Sequence, residues 1–445
     1  MAWTFRGGAH PPTHKETADI AIEGLPAPKR VAIPLASHIG APAKPLVAIG
    51  DVVKFGQKIG DAEGLTAPVH ASVSGKVVDL HKRRLANGKN VDDLVIENDG
   101  CDTYADTVCP CEKPIAELTF DDVYTLVREA GICGMGGACF PTAAKLEAAR
   151  GKARHLIVNC AECEPYLTAN HRLLLESPED VVRGMKLVLV ALGIPYGTLA
   201  IEDNKRDAAE RVDVLYHDDD TVRIRLLKTK YPQGDERQLI FALSGRELPV
   251  GKYPADIGYL VLNAETCAAI YRAYIDGTPS VARIVTVAGD CIRTPKNLLV
   301  RIGTPISALI DACGGFCETP LKIVAGGPMM GQAIWDLDAP ITKGTAGILC
   351  LSGREDVPYI KHTKCIRCGR CVRGCPMRLM PSYLAQFSRK KRDDMCEQFD
   401  LFSCVECGTC TYLCPANVPI VQYIRVAKGR ILDARRAAEA GKKTD

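Results

Sequence analysis

The chain has 445 residues, enough for several domains, and its 47% hydrophobic and 24% charged content is an ordinary globular balance. A formal net charge of +3 points neither to a nucleic-acid surface nor to a strongly acidic partner. The longest apolar run, near "LVLVALGI", is well short of a membrane span; the opening "MAWTFRGGAHPPTHKE" lacks an apolar signal core; and the 21 cysteines are an odd total, so a reducing compartment is expected rather than a disulfide framework.

Taken in chain order, residues 1–112 are rich in Val, Ile, Gly and Pro and show little helical periodicity. Within them, "GDVVKFGQKIGDAEGLTAPVHASVSGKVVDL" alternates short β-type runs with glycine turns. The pattern resembles the barrel-sandwich hybrid of biotinyl and lipoyl domains. No lysine sits in the Met-Lys setting of a carrier arm, so a docking module is expected. Cys101, Cys109 and Cys111 follow without a histidine or fourth cysteine nearby and read as free thiols.

Residues 113–278 alternate helix and strand patterns. "DDVYTLVREAGI" and "DVVRGMKLVLVALGI" have helical spacing, and "RHLIVNC", "TLAIED" and "YLVLNAET" read as buried parallel strands. That is an α/β domain, with ligands expected at the carboxyl ends of its strands. Its most distinctive stretch is "GICGMGGACFPTAAKL", with Gly131, Gly134, Gly136 and Gly137 at the start of an expected helix and Lys145 in its first turns. Glycines there allow close backbone approach, and a helix N-terminus suits a phosphate. Neither the dinucleotide G-x-G-x-x-G nor the P-loop spacing is met, so from its residues alone the stretch fits an anion loop and a plain turn equally. Residues 279–345 read strand, turn, strand, helix, strand, as a small β-grasp fold does.

The last region, 350–445, holds "CIRCGRCVRGCP" and then "CVECGTCTYLCP", joined by the helical "PSYLAQFSRKKRDDMCEQF" and closed by a basic helix. Each grid is C-x2-C-x2-C-x3-C-P, the bacterial ferredoxin run, in which three cysteines hold one [4Fe–4S] cluster and the fourth reaches the other. The expected sets are Cys365, Cys368, Cys371 with Cys414, and Cys404, Cys407, Cys410 with Cys375. Zinc sites usually take two C-x-x-C pairs instead, and disulfides need an oxidising compartment.

"GMGGACFPTAAK", "VNCAECEP", "YPQGDE" and "LNAET" resemble, in order, four segments of the NADH-oxidising, FMN-bearing subunit family of respiratory complex I. The resemblance implies noncovalent FMN, with Gly134, Gly136, Gly137 and Lys145 at its phosphate, Asn159, Glu162 and Cys163 along the isoalloxazine, and Tyr231, Gly234, Asp235, Glu236 and Asn263 closing the pocket. It puts Phe140 and Glu164 against NAD(H), and it requires no acid–base residue, since hydride passes directly. Two positions depart from that family: Met135 stands where an arginine is common, and Ala161 where an acidic residue is. Over nearly its full length, including "FRGGAHPPTHKE", the chain resembles the RnfC family of the Rnf ion-translocating ferredoxin:NAD oxidoreductases.

That resemblance implies a multidomain α/β and α+β protein: a barrel-sandwich module, an FMN domain, a β-grasp domain of the SLBB type and a double-cluster ferredoxin-like domain. It implies an NAD-linked iron–sulfur flavoprotein that passes electrons between NAD(H), FMN and two [4Fe–4S] clusters. The chain would act as a peripheral subunit on the cytoplasmic side of a membrane ion pump, beside integral and ferredoxin-like subunits and without nucleic acid. The alternatives are a soluble cobalamin reductase, in whose family the glycine loop lies close to the N-terminus, and an electron-conducting scaffold without a working nicotinamide site.

Overall fold

The computed structural model describes residues 3–84, 90–353 and 363–441. Residues 1–2 and 85–89, and parts of the expected C-terminal domain (354–362 and 442–445), lie outside the described residues.

The N-terminal module is two antiparallel sheets packed face to face. One has the order Arg30–Pro34, Asn90–Asn98, Gly75–Arg84, Val52–Val53, and the other has Lys44–Pro45, Lys58–Asp61, Val69–His70. Alternation along the strands turns Val31, Ile33, Val77, Leu94 and Ile96 inward onto Ile59 and Val69.

The α/β domain is built on four parallel strands in the order Val222–Leu227, Gly197–Glu202, His155–Cys160, Tyr259–Asn263. Gly197–Glu202, His155–Cys160 and Tyr259–Asn263 are apolar runs because helices cover both faces. Thr119 and Asp122 form a reciprocal cap on the helix Phe120–Glu129. The helix Pro178–Leu192 lies so close to Ala264–Ile275 that a methyl group on Gly184 would sit 1.8 Å from the Cys267 carbonyl oxygen, so only glycine fits. The chain runs outward from His155–Cys160 to one sheet edge, then returns to place Tyr259–Asn263 on the other side of it. That reversal makes a switch point between these two strands, where Asn159 and Asn263 are register partners.

The third sheet has six strands, in the order Ile22–Gly24, Lys296–Arg301, Ala282–Ala288, Gly347–Leu351, Lys322–Ala325, Gln332–Ile334, with the helix Ile306–Ala312 against it. It takes in Gly347–Leu351, past the expected boundary at 345, and borrows Ile22–Gly24 from the opening segment. The cluster region packs the helices Pro381–Arg389, Asp393–Gln398 and Ile420–Gly441 around Leu384, Leu401, Ile424 and Ala427.

Candidate functional site

The two cysteine grids fold as copies of one backbone. In each, the residue before the second cysteine is left-handed (Arg367 φ 57°, Glu406 φ 58°), and a glycine after it is too (Gly369 φ 73°, Gly408 φ 78°). In each, the left-handed residue's amide donates to the first sulfur, Arg367 N to Cys365 Sγ at 3.4 Å and Glu406 N to Cys404 Sγ at 3.3 Å. The chain thus curls round a hollow and aims N–H groups at the cysteine sulfurs. Two cavities result. One is lined by Cys365, Cys368, Cys371 and Cys414, the other by Cys375, Cys404, Cys407 and Cys410. The fourth cysteine of each grid therefore reaches the other grid's cavity. Among the described residues no three Cys, His, Asp or Glu side chains converge closely enough to bind a single ion. The thiols instead ring a space, which is the donor set a four-iron cube needs.

The cavities differ in setting. Cys365 and Cys368 are exposed, whereas Cys375, Cys407 and Cys410 are buried. Burial pushes the Cys407 thiol up to about 11 and raises Cys375, Cys404 and Cys410 as well, so loading with iron must displace their protons. Lys428 Nζ donates to Cys404 O, and with Arg425 it pairs with Glu406, placing positive charge beside this cavity.

The flavin-type segments meet at the carboxyl ends of the parallel strands. Asn159 Nδ2 donates to Gly234 O at 2.8 Å, and Gly234 N donates to Cys163 Sγ at 3.3 Å, joining the second and third segments. The glycine stretch folds over Asn263: Met135 N donates to Thr266 Oγ1 at 2.9 Å, and a methyl group on Gly136 would lie 3.6 Å from Asn263 Cβ. Lys145 Nζ stands 3.3 Å from Glu236 Oε2. The helix after the loop begins only at Thr142, later than expected, because residues 132–141 form their own hairpin with Gly134 N donating to Phe140 O and Thr142 N to Ile132 O. Lys145 is nonetheless in its first turn. Packing does not demand the glycines: a methyl group at Gly134 or Gly136 would meet nothing nearer than 3.6 Å, and at Gly137 nothing within 4 Å. An open backbone face at a switch point fits a phosphate-bearing cofactor.

Several expected pocket residues are committed to local structure. Glu162, at φ 49°, accepts from Asn170 N and His171 N at the start of the helix Ala169–Glu176. Asp235 caps Glu236–Ser244, and burial raises its pKa to about 6. Asn263 caps Ala264–Ile275 through Glu265 N. Burial raises the Cys163 thiol. Phe140 is half-buried. Glu164 accepts from Met329 N at 3.0 Å and Met330 N at 2.9 Å, in the turn of the β-grasp sheet, and burial lifts its pKa to about 7. Both Glu162 and Glu164 are thus tied to backbone amides.

Tyr231 links the two centres. It is buried, its hydroxyl donates to Cys407 O at 2.7 Å, and it lies 3.4 Å from Glu164 Oε1. The opening segment runs along the same seam: Gly8 N donates to Gly374 O, and Ala9 pairs with Tyr231. From this segment Lys15 Nζ donates to the carbonyls of Glu162, Glu164 and Leu167, and Lys205 Nζ donates to Ala161 O. Burial and neighbouring Lys205 pull the Lys15 pKa down to about 8. These two cations hold the 161–167 loop by its carbonyls; Lys15 lies in the opening "FRGGAHPPTHKE", but neither role is legible in sequence, since lysine burial leaves no mark there.

Family models described as "Nuo51 FMN-binding domain", "RnfC Barrel sandwich hybrid domain", "SLBB domain" and "4Fe-4S dicluster domain" match residues 127–272, 3–101, 284–333 and 364–418. The RnfC protein of the Na(+)-translocating ferredoxin:NAD(+) oxidoreductase complex of Acetobacterium woodii is 44% identical, over 97% of this chain and 98% of the relative. The chain belongs to the RnfC family. A second RnfC relative, from the proton-translocating ferredoxin:NAD(+) oxidoreductase complex of Clostridium ljungdahlii, is 45% identical over 96% of this chain and 94% of its own length. The fold also resembles a crystal structure of an NAD+-reducing [NiFe]-hydrogenase in the H2-reduced state, with TM-score 0.50 and 21% identity over 72% of this chain and 62% of that one. As an RnfC chain with matching FMN and dicluster domains, the protein takes FMN and two [4Fe–4S] clusters. Among the described residues no helix is long and apolar enough to cross a membrane.

Proposed function

We infer that this chain is the subunit of an ion-translocating ferredoxin:NAD oxidoreductase complex that passes electrons between NAD(H), FMN and two [4Fe–4S] clusters, from a peripheral position on the cytoplasmic side. The observation that carries this reading is the seam at Tyr231, where the flavin-type crevice and the cavity of Cys375, Cys404, Cys407 and Cys410 share a hydrogen-bonded side chain. FMN exchanges electron pairs with nicotinamide and single electrons with clusters, which is why it belongs between them. Lys145 and the open backbone at Gly134, Gly136 and Gly137 would hold its phosphate. Asn159, Glu162, Cys163, Tyr231, Gly234, Asp235, Glu236 and Asn263 would shape the crevice around its ring. Phe140 and Glu164 would meet the nicotinamide, with Glu164 held in place by the Met329 and Met330 amides, one on each oxygen.

The inner cavity, against the flavin domain, would exchange electrons with the crevice. The outer one, with Cys365 and Cys368 exposed, would face a ferredoxin-like partner. The two relatives name different coupling ions, and with no spanning helix among its described residues this chain would leave the ion path to integral subunits. Anaerobic stopped-flow mixing with NADH tests the reading: the flavin band should bleach first and the iron–sulfur absorbance follow. Protein replete in FMN and iron that NADH does not bleach would instead be an electron-conducting scaffold.

A further inference from the structure

The glycine-rich loop carries two cysteines that no site assignment above uses. Cys133 and Cys139 stand at its two feet, where Cys133 bridges Pro141 and Gly134 N donates to Phe140 O at 2.8 Å. Between them Gly136, Gly137 and Ala138 are exposed, while the cysteines are buried and share a small apolar cluster with Ala67 of the N-terminal module. The two cysteines pack together in this cluster. Cys139 has a left-handed backbone (φ 49°), and a methyl group on Gly344 would lie 3.4 Å from its Cβ. Lys343, buried, donates to Pro68 O at 2.9 Å and Gly131 O at 2.6 Å, setting a cation under the same foot of the loop. The Cys139 contact and this cation favour the thiolate at Cys133, while Cys139 holds its proton.

We propose that Cys133 and Cys139 are a redox-active dithiol, and that their oxidation to a disulfide closes the neck of the loop and slows exchange of FMN; the effect on FMN rests on the reading of this loop as the phosphate cradle. The oxidant class is a small disulfide. Cys133 Sγ attacks one of its sulfurs and expels a thiol, and Cys139 Sγ then displaces the second. One external S–S bond and two protein S–H bonds break, one protein S–S bond and two external S–H bonds form, and two electrons and two protons leave the protein. The bond closes a ring from Cys133 to Cys139 around Gly134, Gly136 and Gly137, the residues with the widest backbone freedom in the loop. A loop held in one shape releases its ligand more slowly.

The test uses the holoprotein under argon, equilibrated in buffers of reduced and oxidised dithiothreitol, quenched in acid and alkylated in denaturant. Trypsin cleavage after Arg128 and Lys145 puts both cysteines, and no others, in the peptide 129–145. That peptide should pass from doubly alkylated to unalkylated and two hydrogens lighter, as a two-electron couple. FMN release, followed by fluorescence gain on dilution, should slow roughly threefold to tenfold in the oxidised protein and show no such change in Cys139→Ser. A peptide that stays doubly alkylated across the whole series at equilibrium overturns the dithiol. A disulfide that forms with unchanged FMN release overturns its hold on the loop. Lys145→Ala protein with undiminished FMN affinity, in which the disulfide still forms, refutes the flavin reading and with it the effect on exchange, while the dithiol stands.

Discussion

Replacing Tyr231 by phenylalanine isolates the seam between the flavin-type crevice and the inner cluster cavity. The ring is 1% exposed and phenylalanine fills the same space, so no cavity opens. The loss is the hydroxyl that donates to Cys407 O at 2.7 Å, whose carbonyl is left without that donor in a buried place. A lost hydrogen bond of this kind costs about 1 kcal/mol, and up to about 3 kcal/mol if the orphaned acceptor finds no water. At 1.4 kcal/mol per decade, opening of the seam should become roughly 5- to 100-fold more frequent. Hydrogen exchange reads this directly, because the amides of Gly8 and Ala9 are bonded across the seam to Gly374 O and Tyr231 O. Both should exchange faster in Tyr231→Phe, by that factor, with iron and FMN content unchanged. Unaltered exchange at these amides in a variant with full cluster content would refute the idea that the hydroxyl ties the domains.

Three further outcomes follow from the site. Cys414→Ser should deplete the cluster ringed by Cys365, Cys368 and Cys371, and Cys375→Ser the other, each halving the iron; EPR that assigns the losses the other way would overturn the crossing. Lys145→Ala should weaken FMN binding by roughly tenfold or more, the scale of a charge-assisted phosphate contact, with cluster absorbance intact; equilibrium dialysis with FMN decides it. Glu164 has a folded-state pKa near 7 against an ordinary 4.5, so its contribution to stability is full below about pH 4.5, falls as pH rises and is gone above about 7. The shift corresponds to roughly 3 kcal/mol at most, less for a side chain that keeps some solvent contact. Glu164→Gln should flatten that part of the thermal-stability profile, and parallel profiles for the two proteins between pH 5 and 8 would count against a buried, ionising Glu164.

The parts most legible in sequence are those whose chemistry forces a spacing. The cysteine grids repeat down to their left-handed residues, Arg367 with Glu406 and Gly369 with Gly408, because wrapping a compact object twice needs the same turn twice. Three strands of the α/β sheet, the edge strand Tyr259–Asn263 among them, are legible because burial on two faces makes them apolar runs. Val222–Leu227 is not, since it is an edge strand whose arginines face water and break the run. Ile22–Gly24 is invisible for another reason: it belongs to a sheet whose other strands lie far along the chain, and nothing local specifies its pairing with Asn297–Leu299. The commitment of Glu162 and Asp235 to helix starts is likewise a tertiary fact, because the same acidic letters in a loop could equally face solvent.

The seam at Gly7 and Gly8 also bears on how the protein is put together. A methyl group on Gly7 would stand 2.8 Å from Cys375 O, and Gly8 is bonded to Gly374 O, so these early residues are clasped by residues made much later. During synthesis the opening segment must wait, unpartnered on this side, while the intervening domains form, and closing so long a loop is a slow step. That delay leaves a window in which the nascent cysteine grids are undocked and open to an iron–sulfur donor before the seam shuts over Cys375. A fusion partner attached ahead of Phe5 would crowd that closure and should lower the yield of fully loaded protein while leaving the flavin domain folded.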